Sequence, residues 1–213
     1  MNIPKKLKHI WIGPKPAPTK WMNTWKKKHP DWEYSVFTQS DFENRTFRNQ
    51  AHIDTYMSRG IYAGVADMIR YELLHEEGGL IVPADAVCLN NTDELWNQPK
   101  DYCYSVYESE RFAPKYISPI YACNPSNTFI NTIIEEIRST PKLDSRPWVG
   151  TGNAFLAKML EKHNPNIKIF PSHYFIPSHF RNPDIRYDGP DKVYAEQYWG
   201  STHKNKDVYS EGV

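Results

Sequence analysis

Residues 66–89, ADMIRYELLHEEGGLIVPADAVCL, constrain the fold more than any other stretch of this chain. A helical pattern runs into Gly78-Gly79, and a glycine at that point is a common way for a helix to end. The apolar run Leu80–Val82 reads as a buried strand, and Asp85 follows it before a second apolar run. Helix, glycine stop, strand and a carboxylate past the strand's C-terminal end is the grammar of an open α/β sheet, which binds ligands at that edge. Asp67 and Arg70 are three residues apart and so share one side of the helix. A surface ion pair and a ligand-binding pair both fit that spacing.

The rest of the chain continues the alternation. His9–Ile12 reads as a first strand ended by Gly13-Pro14, followed by a helix over about 19–29 with Trp21 and Trp25 on one face. Glu33–Phe37 is a second strand, and Ser40-Asp-Phe-Glu43 has the capping-box pattern that opens a short helix. Ala63–Glu77 is a long helix, and Tyr102–Tyr107 and Ile117–Cys123 read as further strands. Asn127–Ser139 is a helix with a stripe of Ile130, Ile133, Ile134 and Ile137. Thr151 is placed to cap another that turns Phe155, Leu156, Met159 and Leu160 inward. From Pro171 onward the periodicity fades, as in a surface wrap or a loop closing over a site. Strands alternating with helices predict an α/β sheet, mostly parallel, in a single domain over residues 1–213.

The same residues resemble a known family. The glycosyltransferases with a DXD motif, which include yeast mannosyltransferases and bacterial capsule transferases and have the clostridial glucosylating toxins as distant relatives, share this pattern. It consists of a small residue, Asp, two apolar residues and Arg, then a helix ending in Gly-Gly, a strand and Asp-x-Asp. Ala66, Asp67, Arg70, Gly78, Gly79 and Asp85 match it, as does the opening IPKKLKHIWIG with its Trp-bearing helix and HPDWEY. Ile81 stands where the family has Tyr, and Pro83 where it has the first Asp.

The resemblance implies a GT-A type, Rossmann-like domain. Residues 1–100 would be its nucleotide-sugar-binding part, and 101–213 its acceptor side and closing C-terminal loop. It implies transfer of a hexose or pentose from a nucleotide sugar, a UDP-sugar by expectation, to an acceptor hydroxyl, with a divalent metal (Mn2+ or Mg2+) and retention of anomeric configuration. Asp85, Arg70 and Asp67 would be catalytic. Trp11, Ile12, Asn153, Trp199 and Ser201 would join Asp67 and Arg70 in holding the donor. Asp85, Glu196, Ser201 and His203 would be the metal ligands. Less specific readings stand beside these: Asp85 as a turn residue, Trp11 as core, Thr151-Gly152-Asn153 as an ordinary helix start, and His203 as solvated. Pro83 would weaken recognition of the donor's hydroxyls, since proline has no side-chain acceptor and no N–H.

Composition excludes other classes. A hydrophobic content of 39% with 24% charged residues is that of a folded protein, and a net charge of +1 gives no general attraction to nucleic acid or membrane. No apolar run of spanning length occurs, which with the lack of an apolar leader predicts a cytoplasmic protein. Cys88, Cys103 and Cys123 lack metal-site spacing and are expected as buried thiols. The clusters Lys5-Lys6-Lys8 and Lys26-Lys27-Lys28 near Trp21, Trp25 and Trp32 fit either a solvated face or a nucleic-acid surface. The acceptor is therefore expected to be a saccharide or modified DNA, the latter as in a phage-type enzyme acting on hydroxymethylated bases. A degenerate protein that binds nucleotide sugar without turnover is the remaining alternative.

Overall fold

In the computed structural model, residues 2–199 and 213 are described, apart from the side chains of residues 42–44. Strand β1 (Lys6–Trp11) pairs in parallel with β2 (Glu33–Thr38) and with β3 (Gly79–Ile81). The short β7 (Ala122–Cys123) lies antiparallel between β3 and β5 (Cys103–Ser109). Two reversals restore direction, so β3 and β5 run the same way. Beyond them, β8 (Ile167–Phe170) is parallel to β5, and β6 (Ala113–Ile117) returns as its hairpin partner. The C-terminal ends of β2, β1, β3, β5 and β8 therefore share one edge of the sheet. Outside this sheet, β4 (Ala86–Cys88) pairs with β11 (Ala195–Gln197), and β9 (Ser178–His179) with β10 (Asn182–Arg186).

Both faces of this mostly parallel sheet are covered. Side chains alternate along each strand. Ile81, Cys103 and Cys123 join one cluster with α2 (Gln50–Ser58), α3 (Tyr62–Glu77), α4 (Thr128–Ser139) and α6 (Asn153–His163). Leu80, Val82, Tyr104 and Ala122 face the other, where Trp25 of α1 (Thr19–Lys28) packs with Trp32, Trp96 and Phe175. The three cysteines are buried and free.

The glycine pair is required sterically. Gly78 and Gly79 have φ of 63° and 90°, and a Cβ on Gly79 would lie 2.4 Å from the Lys6 carbonyl oxygen. A side chain there would push β3 away from β1.

Three local readings change. The expected strand over residues 117–123 is split into the end of β6 and β7, with Ser118 and Tyr121 N–H groups still bonded to the Val106 and Tyr104 carbonyls. Thr151 does not cap α6, which starts after Gly152; it follows the one-turn helix α5 (Pro147–Gly150). The Ser40 segment is a 3-10 turn, Gln39–Asn44, anchored by Asp41 Oδ2 accepting from the Thr38 N–H and hydroxyl.

Candidate functional site

The chain leaves β3 at Ile81 and reaches Asp85 on the sheet's C-terminal edge, where Asp85 is only 6% exposed. It is fixed there by the tail. Antiparallel pairing of β11 with β4 sets Gln197 opposite Ala86, and Gln197 Nε2 donates to Asp85 Oδ1 at 2.6 Å. The Tyr198 N–H donates to the Asp85 carbonyl at 3.0 Å, and the Tyr198 ring stacks on Trp21 of α1 at 5.1 Å. Segments more than a hundred residues apart thus meet at one carboxylate.

Asp67 and Arg70 are on adjoining positions of α3 but have different surroundings. Asp67 is half-buried and accepts from Thr151 Oγ1 at 3.0 Å. Burial raises its pKa to about 6, against the opposing pull of the Arg70 charge and the Thr151 hydrogen bond. Arg70 is buried, and burial lowers its pKa, with the charge of Asp67 opposing. Its Nη1 donates to the Ile81 carbonyl at 2.5 Å and to that of Ile120 at 3.4 Å, while Nε is buried without a partner. The guanidinium therefore braces the end of β3 from below.

The other expected residues lie around this centre. Trp11 ends β1, half-buried, with Nε1 donating to the Lys15 carbonyl at 2.8 Å, and Ile12 is buried beside it. Asn153 opens α6 and donates from Nδ2 to Glu108 of β5. Glu196 is held by Arg186, rather than facing Asp85 as Gln197 does. Trp199 packs edge-on against His179 and Phe180, at 5.5 and 5.3 Å between ring centroids. Ser201 and His203 lie outside the described residues. Sequence reasoning did not assign Gln197, Glu108 or His179 a role. The expectations for Glu196, Trp199 and Ser201 marked the region of Gln197, whereas Glu108 and His179 meet only through the fold.

Among the described residues no group of three or more His, Cys, Asp and Glu side chains could hold a metal ion unaided. The oxygen donors at Asp85 nevertheless suit a hard cation that takes its remaining ligands from phosphate and water. With its amide N–H committed to Asp85, Gln197 is left with a buried Oε1 that has no hydrogen-bond partner. A carboxylate and an orphaned amide oxygen side by side are hard donors of the required kind.

Residues 18–102 match the sequence model of the family described as "Glycosyltransferase sugar-binding region containing DXD motif". No curated protein matches the chain. Among solved structures, the PaToxG glycosyltransferase aligns with a TM-score of 0.59 at 16% identity, covering 75% of this chain and 68% of its own. The UDP-bound glycosyltransferase domain of the YGT toxin aligns at 0.58 and 11% identity, covering 78% and 79%. The galactosyltransferase LgtC, in complex with donor and acceptor sugar analogs, aligns at 0.50 and 11%, covering 97% and 94%. These likenesses give the fold, a GT-A type α/β architecture with a mostly parallel central sheet. Residues 18–102 of the chain are thus similar in sequence to the sugar-binding region of the DXD-motif glycosyltransferases.

Proposed function

We propose that this protein transfers a sugar from a UDP-sugar to an acceptor hydroxyl, assisted by a divalent cation. The observation that carries the reading is the buried carboxylate of Asp85, held by Gln197 at the C-terminal edge of β3. The YGT toxin domain binds UDP, which supports the choice of nucleotide. Asp85 and Gln197 would hold the cation, which when bound supplies positive charge against the diphosphate leaving group.

In this reading Trp11 and Ile12, at the end of β1, flank the nucleotide. Asp67, ionised above about pH 6, accepts hydrogen bonds from hydroxyls of the donor sugar. Arg70 acts in two ways: it holds the Ile81 carbonyl in place and keeps the Asp67 pKa from rising further. Tyr198, stacked on Trp21 beside Asp85, would shield the site from water. The bond between the anomeric carbon and the β-phosphate oxygen breaks with its electron pair passing to phosphate. The acceptor oxygen bonds to the anomeric carbon, and its proton is released to the departing phosphate. The resemblance to the family makes retention of configuration the expected stereochemical outcome.

The test is a panel of nucleotide sugars assayed for release of nucleotide without acceptor, with Mn2+ and with EDTA. We predict metal-dependent hydrolysis of one or a few UDP-sugars. UDP binding with no hydrolysis of any donor would identify a binding protein instead, for which the replacement of the first motif Asp by Pro83 is the reason. Absence of both binding and hydrolysis would overturn the proposal.

A further inference from the structure

A second polar cluster lies on the same sheet edge. Glu108, near the end of β5, accepts from Asn153 Nδ2 on one carboxylate oxygen and lies 3.4 Å from His179 Nε2 on the other. Both side chains are largely withdrawn from solvent, at 15% and 6% exposure. The Arg181 N–H donates to His179 Nδ1 at 3.2 Å, so this nitrogen is an acceptor and Nε2 carries the proton toward Glu108. Among the described residues, three aromatic rings stand around the imidazole: Phe112 at 5.4 Å, Phe180 at 4.3 Å and Trp199 at 5.5 Å.

The position of this cluster follows from the topology. Along the C-terminal edge come Trp11 at the end of β1, Asp85 after the neighbouring β3, and Glu108 on β5, with β7 between β3 and β5. One turn of chain joins the cluster to Asp67: Thr151 bonds Asp67, and Asn153, two residues on, bonds Glu108. Trp199 joins it to the segment that holds Asp85. Glu108 thus stands on the same sheet edge as Asp85 and is tied to Asp67 through the Thr151–Asn153 turn.

We infer that Glu108, His179 and Asn153, walled by Phe112, Phe180 and Trp199, form the subsite for the acceptor, and that the acceptor is a saccharide. The inference rests on the donor site proposed above. A carboxylate has about four lone-pair positions, and Asn153 and His179 use only two, leaving Glu108 able to accept from sugar hydroxyls. Flat aromatic faces beside a hydroxyl acceptor match the alternating apolar and polar faces of a pyranose ring. A nucleic-acid acceptor would bring phosphates against this carboxylate, which disfavours it.

The test uses methyl α-glucoside, methyl β-galactoside and methyl α-mannoside as probes, titrated by saturation-transfer NMR with and without UDP and Mn2+. UDP affinity is measured in parallel by calorimetry. We expect at least one glycoside to bind the unmodified protein, and Glu108→Gln and His179→Gln to weaken it about tenfold or more, with UDP affinity changed less than about twofold. Glycoside affinity unaffected in both variants, or no glycoside binding by a protein that binds UDP, would overturn the inference. Glycoside binding that depends on Glu108 in a protein that fails to bind UDP would uphold the subsite and contradict the donor reading alone.

Discussion

Asp67 and Arg70 show how far two neighbours on one helix can diverge. No ion pair within 4.0 Å joins them among the described residues; the arginine bonds carbonyls of β3 and the loop before β7, and the aspartate bonds Thr151. A folded pKa raised to about 6 means that the fold opposes the charged form of Asp67. That cost is present above about pH 6 and is relieved as the carboxyl protonates below it, so Asp67→Asn should raise the melting temperature at pH 7.5 while weakening donor binding. Affinity for a UDP-sugar should fall as the pH drops below about 6. In Arg70→Met, the pH at half-loss should move upward, because the charge that holds the Asp67 pKa down is gone; calorimetric titrations at several pH values read this midpoint. An unchanged midpoint would separate the two residues electrostatically. Arg70→Met should also cost about 1.5–3 kcal/mol of stability, the usual range for hydrogen bonds to a charged group, measured by urea unfolding. Pro83 is a further test at this scale. Pro83→Asp should improve affinity for UDP-hexoses severalfold if that position faces the donor's hydroxyls, and no gain with any UDP-hexose would remove Pro83 from donor selection.

Helix α2 has no side-chain cap at its own start, which is why its sequence gives little sign of it. The N–H groups of Arg48 and Asn49 are instead accepted by Glu72 of α3, at 2.6 and 2.8 Å. Glu72→Ala should leave these N–H groups unpaired, cost about 1–3 kcal/mol and speed amide exchange across residues 50–58. Equal exchange in both proteins would mean that packing of Ile53 and Tyr56 alone holds the helix. Elements with local signals were legible: α3 with its glycine stop, and α4, where Asn127 Oδ1 accepts from two N–H groups and the four isoleucines are all buried. Elements defined by distant partners were not, and β8, β9 and β10 belong with α2 in that class. The site divided in the same way. Asp85 and Asp67 could be named from a contiguous motif, and the C-terminal segment was expected to close the site. That Gln197 would be the residue on Asp85, and that Glu108 would meet His179 and Asn153, depends on strand pairing and on contacts between residues 45 to 112 positions apart.

At the scale of the whole molecule, two antiparallel steps around β7 let five strands end on one edge, and the tail returns to that edge through β11. The buried Ala195 and the aromatic cluster of Trp25, Trp96, Phe175 and Tyr194 anchor this return, so the fold's second core also positions the site. No helix among the described residues is long and apolar enough to cross a membrane. Three of the N-terminal lysines are paired within the fold, Lys5 with Asp93 and Lys6 and Lys8 with Glu77, which reduces the basic surface open to a polyanion. The GT-A type architecture is thus present with Asp85 past the end of β3 and Pro83 two residues before it, and everything proposed for the reaction depends on whether Asp85 with Gln197 suffices to bind a nucleotide diphosphate through a cation. Calorimetric titration of UDP into the protein and into Asp85→Asn, each with Mn2+ and with EDTA, tests this directly. The account predicts measurable affinity in the unmodified protein with Mn2+ alone, and its loss both in EDTA and in the variant. Equal affinity with and without metal, or a variant that binds UDP as well as the unmodified protein does, would contradict it.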